Sequence, residues 1–301
     1  TAENIASDLS RLSEYPAIGA LHPGLRERLE AADENPAELY AVPYARAYAP
    51  QLTEARRHLE RAAAVIAKEA PDFAAYLRNR GRDLLSGNYE SGDASWVTGR
   101  LGKLNLQFGS YETYDDSLLG IKAFFSASLL ARDEARSRAL AAAMTELQSI
   151  EDALPYEHQK RVRSHIPVGV YNVVADFGQA RGANTATILP NDADHARKYG
   201  RIVLIRNNIL ANPAIFDNSK QRFDAVVAPA FRNHLTIDGG FYRTLWHEIG
   251  HYLGVSMTAD GRSLGEALAE YADLVEEMKS DLVSLHAAPT LLEIGYYDEQ
   301  G

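Results

Sequence analysis

The 301-residue chain contains no cysteine, which excludes disulfides, thiol nucleophiles and any thiolate-held zinc or iron–sulfur centre. A bound metal would have to use His, Asp or Glu. No run approaches the roughly 18 consecutive apolar residues that a membrane-spanning helix needs; even the alanine-rich stretch 139–143 is flanked by Arg138 and Glu146. There is no basic excess either. The formal charge of −10 disfavours non-specific binding to nucleic acid and mildly favours cationic ligands, including peptides with a free amino terminus. No internal repeat is visible, and no initiating Met: the start at Thr1 reads as removal of an export signal or a tag, so cytoplasmic and exported locations both stay open.

What is present describes a folded globular protein, with 46% hydrophobic and 24% charged residues. The length suits one large domain or two lobes. Residues 51–68 combine good helix formers with apolar residues at helical spacing, and 133–154 forms a second such segment, with Asp133 as cap and Pro155 as stop. From Ile166 to Arg206 the period changes to short β-branched runs separated by turn-rich segments. Helical patterning returns at 219–232 and again in GGFYRTLWHEIGHYLG, 239–254, where Gly254 is a suitable stop. The fold class read from this order is α+β, a small sheet between helical segments.

The segment HEIGH carries the chemistry. Residues four apart share one face of a helix, so His247 and His251 can present their imidazoles to one metal, with Glu248 about 100° around the axis. That is the arrangement of a zinc hydrolase: the ion acidifies a water to a pKa of about 7 and polarises a carbonyl, while the glutamate moves the proton. Five residues can recur by chance, leaving two ordinary helix histidines as the alternative. The weight therefore falls on the context, an amphipathic helix with Phe241, Leu245, Trp246, Ile249, Tyr252 and Leu253 on its apolar side.

Two histidines need a further ligand. Residues 263–278, SLGEALAEYADLVEEM, read as a second amphipathic helix after the Asp260-Gly261 turn, capped by Ser263. Its acids Glu266, Glu270, Asp273 and Glu277 are candidates on spacing, although acidic helix faces are usually only solvated. Glu266 and Glu270 share a face nearest HEIGH, so one could bind zinc while the other orients a histidine. Two signals carry less. DFG at 176–178 has no accompanying phosphate loop and reads as chance, and His22, His58, His158, His165, His195 and His234 show no ligand spacing.

Three segments in order, FGSYETYDDSLLGIKAFF (108–125), NTATILPNDADHARKYGRIVLIRNNIL (184–210) and WHEIGHYLG with EALAE, resemble the dipeptidyl peptidase III family of zinc exopeptidases over roughly residues 100–275. The first is similar to that family's E-x-Y-x-D segment followed by a helix, the second to its L-P-N strand region. The resemblance implies a two-lobed protein, a mostly helical zinc-binding lobe and a second lobe with a small β-sheet or barrel, with a cleft between them. It implies helical (1–100), substrate-binding (101–210) and zinc-binding (211–301) regions. It also implies His247, His251 and Glu266 as ligands of one zinc ion, Glu270 behind them, Glu248 as catalytic base and Tyr114 as oxyanion donor. Glu112 and Asn191 would hold the substrate's amino terminus. The expected substrates are oligopeptides, shortened by dipeptides from their amino end.

Two departures from the family pattern qualify this. The motif here has five residues where most members carry HExxGH, so the helix should be regular. The family also continues past the second zinc helix to supply a His and an Arg, and His286 lies too near the metal helix to match that His, so the chain reads as a fragment. A zinc-stabilised peptide-binding protein without activity, and an HExxH endopeptidase of another lineage, are the alternative functions.

Overall fold

The computed structural model of the chain describes residues 2–34, 40–100, 102–112, 123–162, 166–178, 184–190 and 192–297. The chain opens with helices α1 (Ala2–Glu14), α2 (Pro16–Leu21), α3 (Leu25–Glu34), α4 (Tyr44–Ala47), α5 (Ala49–Ile66), α6 (Pro71–Ser86) and α7 (Glu90–Thr98). Strands β1 (Leu104–Glu112) and β2 (Phe124–Arg132), helices α8 (Glu134–Ala143) and α9 (Leu147–Asp152), and strands β3 (Val168–Gly178) and β4 (Ala186–Leu189) follow. After them come α10 (Ala193–Tyr199), β5 (Ile202–Arg206), α11 (Asn207–Leu210), α12 (Pro213–Val226), α13 (Ile237–Gly250), α14 (Leu264–Leu268) and α15 (Ala272–Glu293).

These elements form two compact units, one of Thr1–Gly102 with Asp192–Tyr199, the other of Lys103–Asn191 with Gly200–Gly301. In the first, α5 buries Leu52, Leu59 and Ala63 along one stripe, and α6 answers with Tyr76, Leu77, Leu84 and Leu85. Pro71, just after α5, occupies the first turn of α6, where its missing N–H costs nothing.

A buried ionic cluster joins α6, α7 and α10. Arg80 is 2.7 Å from Asp93 and 3.6 Å from Asp83, all three side chains being at most 1% exposed. Asp83 accepts hydrogen bonds from Ser91 Oγ (2.8 Å) and the Gly92 amide (2.9 Å). A Cβ on Gly92 would stand 2.1 Å from Asp83 Oδ2, so only glycine admits this approach. His195 of α10 reaches Asp93 through Nδ1 at 2.9 Å, and Lys198 reaches Glu90 at 2.7 Å.

The second unit contains a five-stranded sheet in the order β1-β2-β3-β5-β4, antiparallel except where β3 pairs with β5. Residues 202–206 of β5 are all buried, which is why IVLIR reads as an unbroken apolar run ending on an arginine. Val170, Val203 and Ile205 pack into one core with Phe241, Leu245, Trp246, Ile249 and Leu253, and with Leu140, Ile150 and Val283. The sheet and the histidine-bearing helix therefore belong to a single unit, although they fall in different sequence regions.

The α+β class is as read from the sequence. Asp133 caps α8 by accepting the Arg136 amide at 3.0 Å, but the 133–154 segment is divided into α8 and α9 by a 3₁₀ turn at Met144–Glu146. Phe124–Arg132 is strand β2, and the helix implied after the E-x-Y-x-D segment falls on 113–122, outside the described residues. The partner strand β1 carries no apolar alternation because its buried positions are Asn105, Gln107 and Gly109, the first two set opposite Leu130 and Ser128. Fully buried Arg206 explains Gln107 and Ser128, donating to Gln107 Oε1 at 2.9 Å and Ser128 Oγ at 3.1 Å, while Asn105 donates to the Tyr171 hydroxyl at 3.3 Å. The DFG segment is the end of β3. No helix among the described residues is long and apolar enough to cross a membrane.

Removing one member of the buried cluster strands its partner's charge, so Asp93→Ala should destabilise the first unit by about 3–5 kcal/mol in urea unfolding. A loss below about 1 kcal/mol would mean that the cluster is solvated.

Candidate metal centre

Helix α13 starts at Thr236, whose hydroxyl accepts the Gly239 amide at 2.9 Å, with Asp238 favourably placed in the first turn. Arg136 pairs with Asp238 at 2.8 Å and lies over the Phe241 ring. Phe241, Leu245, Trp246 and Ile249 bury one face. The other side carries Glu248 together with His247 and His251, whose side chains are only 18% and 15% exposed. The helix ends on His251, followed by a turn in which Gly254 adopts φ +75°.

Against this helix packs α15, and the approach is set by Gly250. A Cβ there would meet Ser280 O at 2.7 Å and Ser280 Cα at 3.0 Å. With the backbones this close, the acids of α15 fall on the two imidazoles. His247 Nδ1 is 2.9 Å from Asp281 Oδ1, and His251 Nδ1 is 2.9 Å from Glu276 Oε1 and 2.8 Å from Ser280 Oγ. The opposite ring nitrogens both face Glu277, at 3.1 Å from His247 Nε2 and 3.8 Å from His251 Nε2. Among the described residues, the group whose ligand atoms converge, all within 4.8 Å of one another, is His247, His251 and Glu277.

The electrostatics agree with the division of labour. Burial alone would raise the carboxyl of Glu276, but hydrogen bonds from His251 and Lys279 hold it below its usual range. Asp281 is likewise held low by His247 and Arg243 against the effect of burial. Both acids stay ionised and favour a proton on the facing Nδ1, which leaves each Nε2 lone pair for a metal. Glu248 differs. Burial pushes its carboxyl up, Glu277 adds to that, and the facing His251 and His247 offset only part. A carboxylate raised in this way is a stronger base.

The structure brings together some of the residues singled out from sequence and not others. His247, Glu248 and His251 lie together on and at the end of α13. Glu266 does not join them: it closes a capping box with Ser263, accepting the Ser263 amide at 2.9 Å and hydroxyl at 2.8 Å, bonds that keep its carboxyl low. Glu270 is exposed in the 3₁₀ turn Ala269–Tyr271. The reading of 263–278 as one helix fails at that turn, where Ala269 has φ +48°, and the break separates EALAE from the α15 acids. Glu276, Ser280 and Asp281 are the residues that sequence reasoning missed. The signal was the run EEMKSD, with acids one and five positions apart on a helix. Glu112 ends β1, and Tyr114 and Asn191 lie outside the described residues. His286 is engaged elsewhere, with Nε2 2.9 Å from Ala153 O.

No protein-family model matches the chain. Solved structures of similar fold include DPP III from Caldithrix abyssi, 28% identical with a TM-score of 0.76 over 87% of this chain and 51% of that one. Dipeptidyl-peptidase III from Corallococcus sp. strain EGB is 27% identical with a TM-score of 0.71, over 96% and 56%. Among curated proteins, Nudix hydrolase 3 of Arabidopsis thaliana is 27% identical over 302 residues, 98% of this chain and 38% of that protein. The chain thus spans about half the length of the solved structures it matches, and less of the plant protein.

The Gly250 contact gives a direct test. Gly250→Ala should destabilise the second unit by about 1–3 kcal/mol in thermal unfolding, because Ser280 must move away. Gly240→Ala on the same helix, where a Cβ meets nothing within 4 Å, should be neutral or stabilising by up to about 1 kcal/mol. Equal effects would contradict the packing.

Proposed function

The chain is dipeptidyl peptidase III-like in fold, and from that premise we propose that it forms the zinc-binding part of a metallopeptidase that releases dipeptides from the amino end of oligopeptides. The convergence of His247, His251 and Glu277, with an acid behind each imidazole, is the observation that carries this reading. Two imidazole nitrogens and a carboxylate oxygen are a donor set suited to zinc, and a catalytic zinc keeps one position open beside three protein ligands. Glu277 is proposed as the third ligand in place of Glu266, whose carboxylate is spent on the capping box. When bound, zinc supplies Lewis acidity towards a scissile carbonyl and acidifies water.

The remaining work falls to side chains. Glu248, raised by burial, takes a proton from the attacking water and returns it to the departing amine. Asp281 and Glu276 hold the imidazoles in the tautomer that leaves Nε2 free. Tyr114 donates to the oxygen that gains charge, and Glu112 and Asn191 bind the substrate ammonium, the roles that the family resemblance gives them. Counting two residues from a free amino group requires such an acid and amide, since a desolvated ammonium must be paired.

Zinc binding is tested by titration. Glu277→Ala should weaken it by roughly two to three orders of magnitude, one ligand's share of a site worth on the order of 10–16 kcal/mol. Glu266→Ala should leave the affinity unchanged. The reverse ranking would return the third ligand to Glu266.

Turnover is tested on the full-length protein by mass spectrometry of short peptides. Glu248→Gln should lose about 10²–10⁴-fold in rate while retaining zinc, and amino-terminal acetylation of the peptide should block cleavage. Because the chain spans about half of its solved relatives, a peptide-binding protein without activity is the second reading. Peptides that bind and stay intact would establish it, whereas internal cleavage indifferent to acetylation would indicate an endopeptidase.

A further inference from the structure

Glu151, on α9, lies outside the histidine motif and outside α15, yet its carboxylate is bonded to the turn that ends α13. The residue is fully buried. It accepts a hydrogen bond from the Gly254 amide at 2.8 Å, a second from the Lys160 amide at 3.3 Å, and a third from the Tyr156 hydroxyl. The first of these bears on the metal centre.

His251 is the C-terminal cap of α13, a poor place for a rigid ligand. The last turn of a helix lacks downstream N–H donors and frays. Here the Tyr252 and Leu253 amides still bond back, to Ile249 O at 2.9 Å and Gly250 O at 3.1 Å. The chain then turns at Gly254 in a left-handed conformation. Leu253 is buried in the core, and a Cβ on Gly254 would press on Lys279 Cδ at 3.2 Å, so the turn is wedged against α15 on one side. Glu151 grips it from the other. The Gly254 N–H thus ends on a carboxyl oxygen fixed in the core.

We infer that Glu151 is a positioning residue for His251: by holding the Gly254 amide it fixes the turn beyond the helix end and so fixes where the second imidazole presents Nε2. This rests on the zinc reading above. It enlarges the site to a residue about a hundred positions upstream of the motif.

The test uses Zn²⁺ titration and the visible absorption of the Co²⁺-loaded chain, for the unaltered protein, Glu151→Ala, Glu151→Gln and Tyr156→Phe. Outer partners of a metal site typically govern 10–100-fold in affinity. Glu151→Ala should therefore weaken Zn²⁺ binding about tenfold and alter the Co²⁺ band. Glu151→Gln keeps an oxygen that can accept the Gly254 amide and should restore both to within about threefold. Tyr156→Phe removes another bond of the same carboxylate and should leave the Co²⁺ band unchanged, which separates positioning from general stability.

An unchanged affinity and Co²⁺ band in Glu151→Ala, with zinc bound by the unaltered chain, would overturn the inference and leave the metal reading standing. No zinc uptake by the unaltered chain would overturn both. Should Glu151→Ala not fold, hydrogen exchange on the metal-free unaltered chain decides. Protection of the Gly254 amide before metal is added supports the role, and exchange at the rate of an exposed loop overturns it.

Discussion

The approach of α13 to α15 at Gly250 is the constraint from which the rest of the centre follows. Helices separated by an ordinary side chain would leave the carboxylates of α15 too far away to bond directly to imidazoles on α13. With no Cβ between Gly250 and the Ser280 backbone, short acids suffice: Asp281 meets His247, and Glu276 meets His251. The same geometry leaves Glu277 facing the other nitrogen of each ring. One missing side chain thus decides which ring nitrogen meets Asp281 or Glu276 and which faces Glu277.

Burial completes the arrangement by degrees. The imidazoles are largely enclosed, whereas the Glu277 side chain is 62% exposed, so the converging group opens outward while its support lies inward. Asp281 and Glu276 sit between these extremes, ionised because hydrogen bonds outweigh desolvation. Among the described residues Glu248 receives no such bond, and burial pushes it upward. Adjacent acids therefore differ by environment alone: those that face a histidine Nδ1 are held as anions, and Glu248 is made more basic, as the proposed proton exchange would require. The core around Trp246 and Leu245, shared with β3 and β5, keeps the helix from rotating away from this pattern.

Much of this was legible in the sequence where local rules act alone. The period of 239–254, the Asp133 cap and the i, i+4 histidines all follow from helix geometry, and all stand in the structure. Strands β1 and β2 escaped because several of their inward residues are polar, and the polarity of Gln107 and Ser128 makes sense only beside Arg206, which is distant in sequence. Glu266 stood out from spacing because 263–278 looked like one helix. The capping box that consumes its carboxylate is itself a local signal, S-x-x-E, visible as Ser263 and Glu266. Reading that signal to its end would have turned attention to the acids further along, whose value depends on a contact between helices that sequence does not display.

The central claim is that one metal ion is held by the Nε2 atoms of His247 and His251 with a carboxylate oxygen of Glu277. Its most direct test is a crystal structure of the zinc-loaded chain with anomalous scattering measured at the zinc edge. The account predicts a single strong peak about 2.0–2.2 Å from those three atoms, with Asp281 and Glu276 still on the Nδ1 atoms. A peak coordinated by Glu266, or zinc-saturated crystals with no peak between the two histidines, would contradict it.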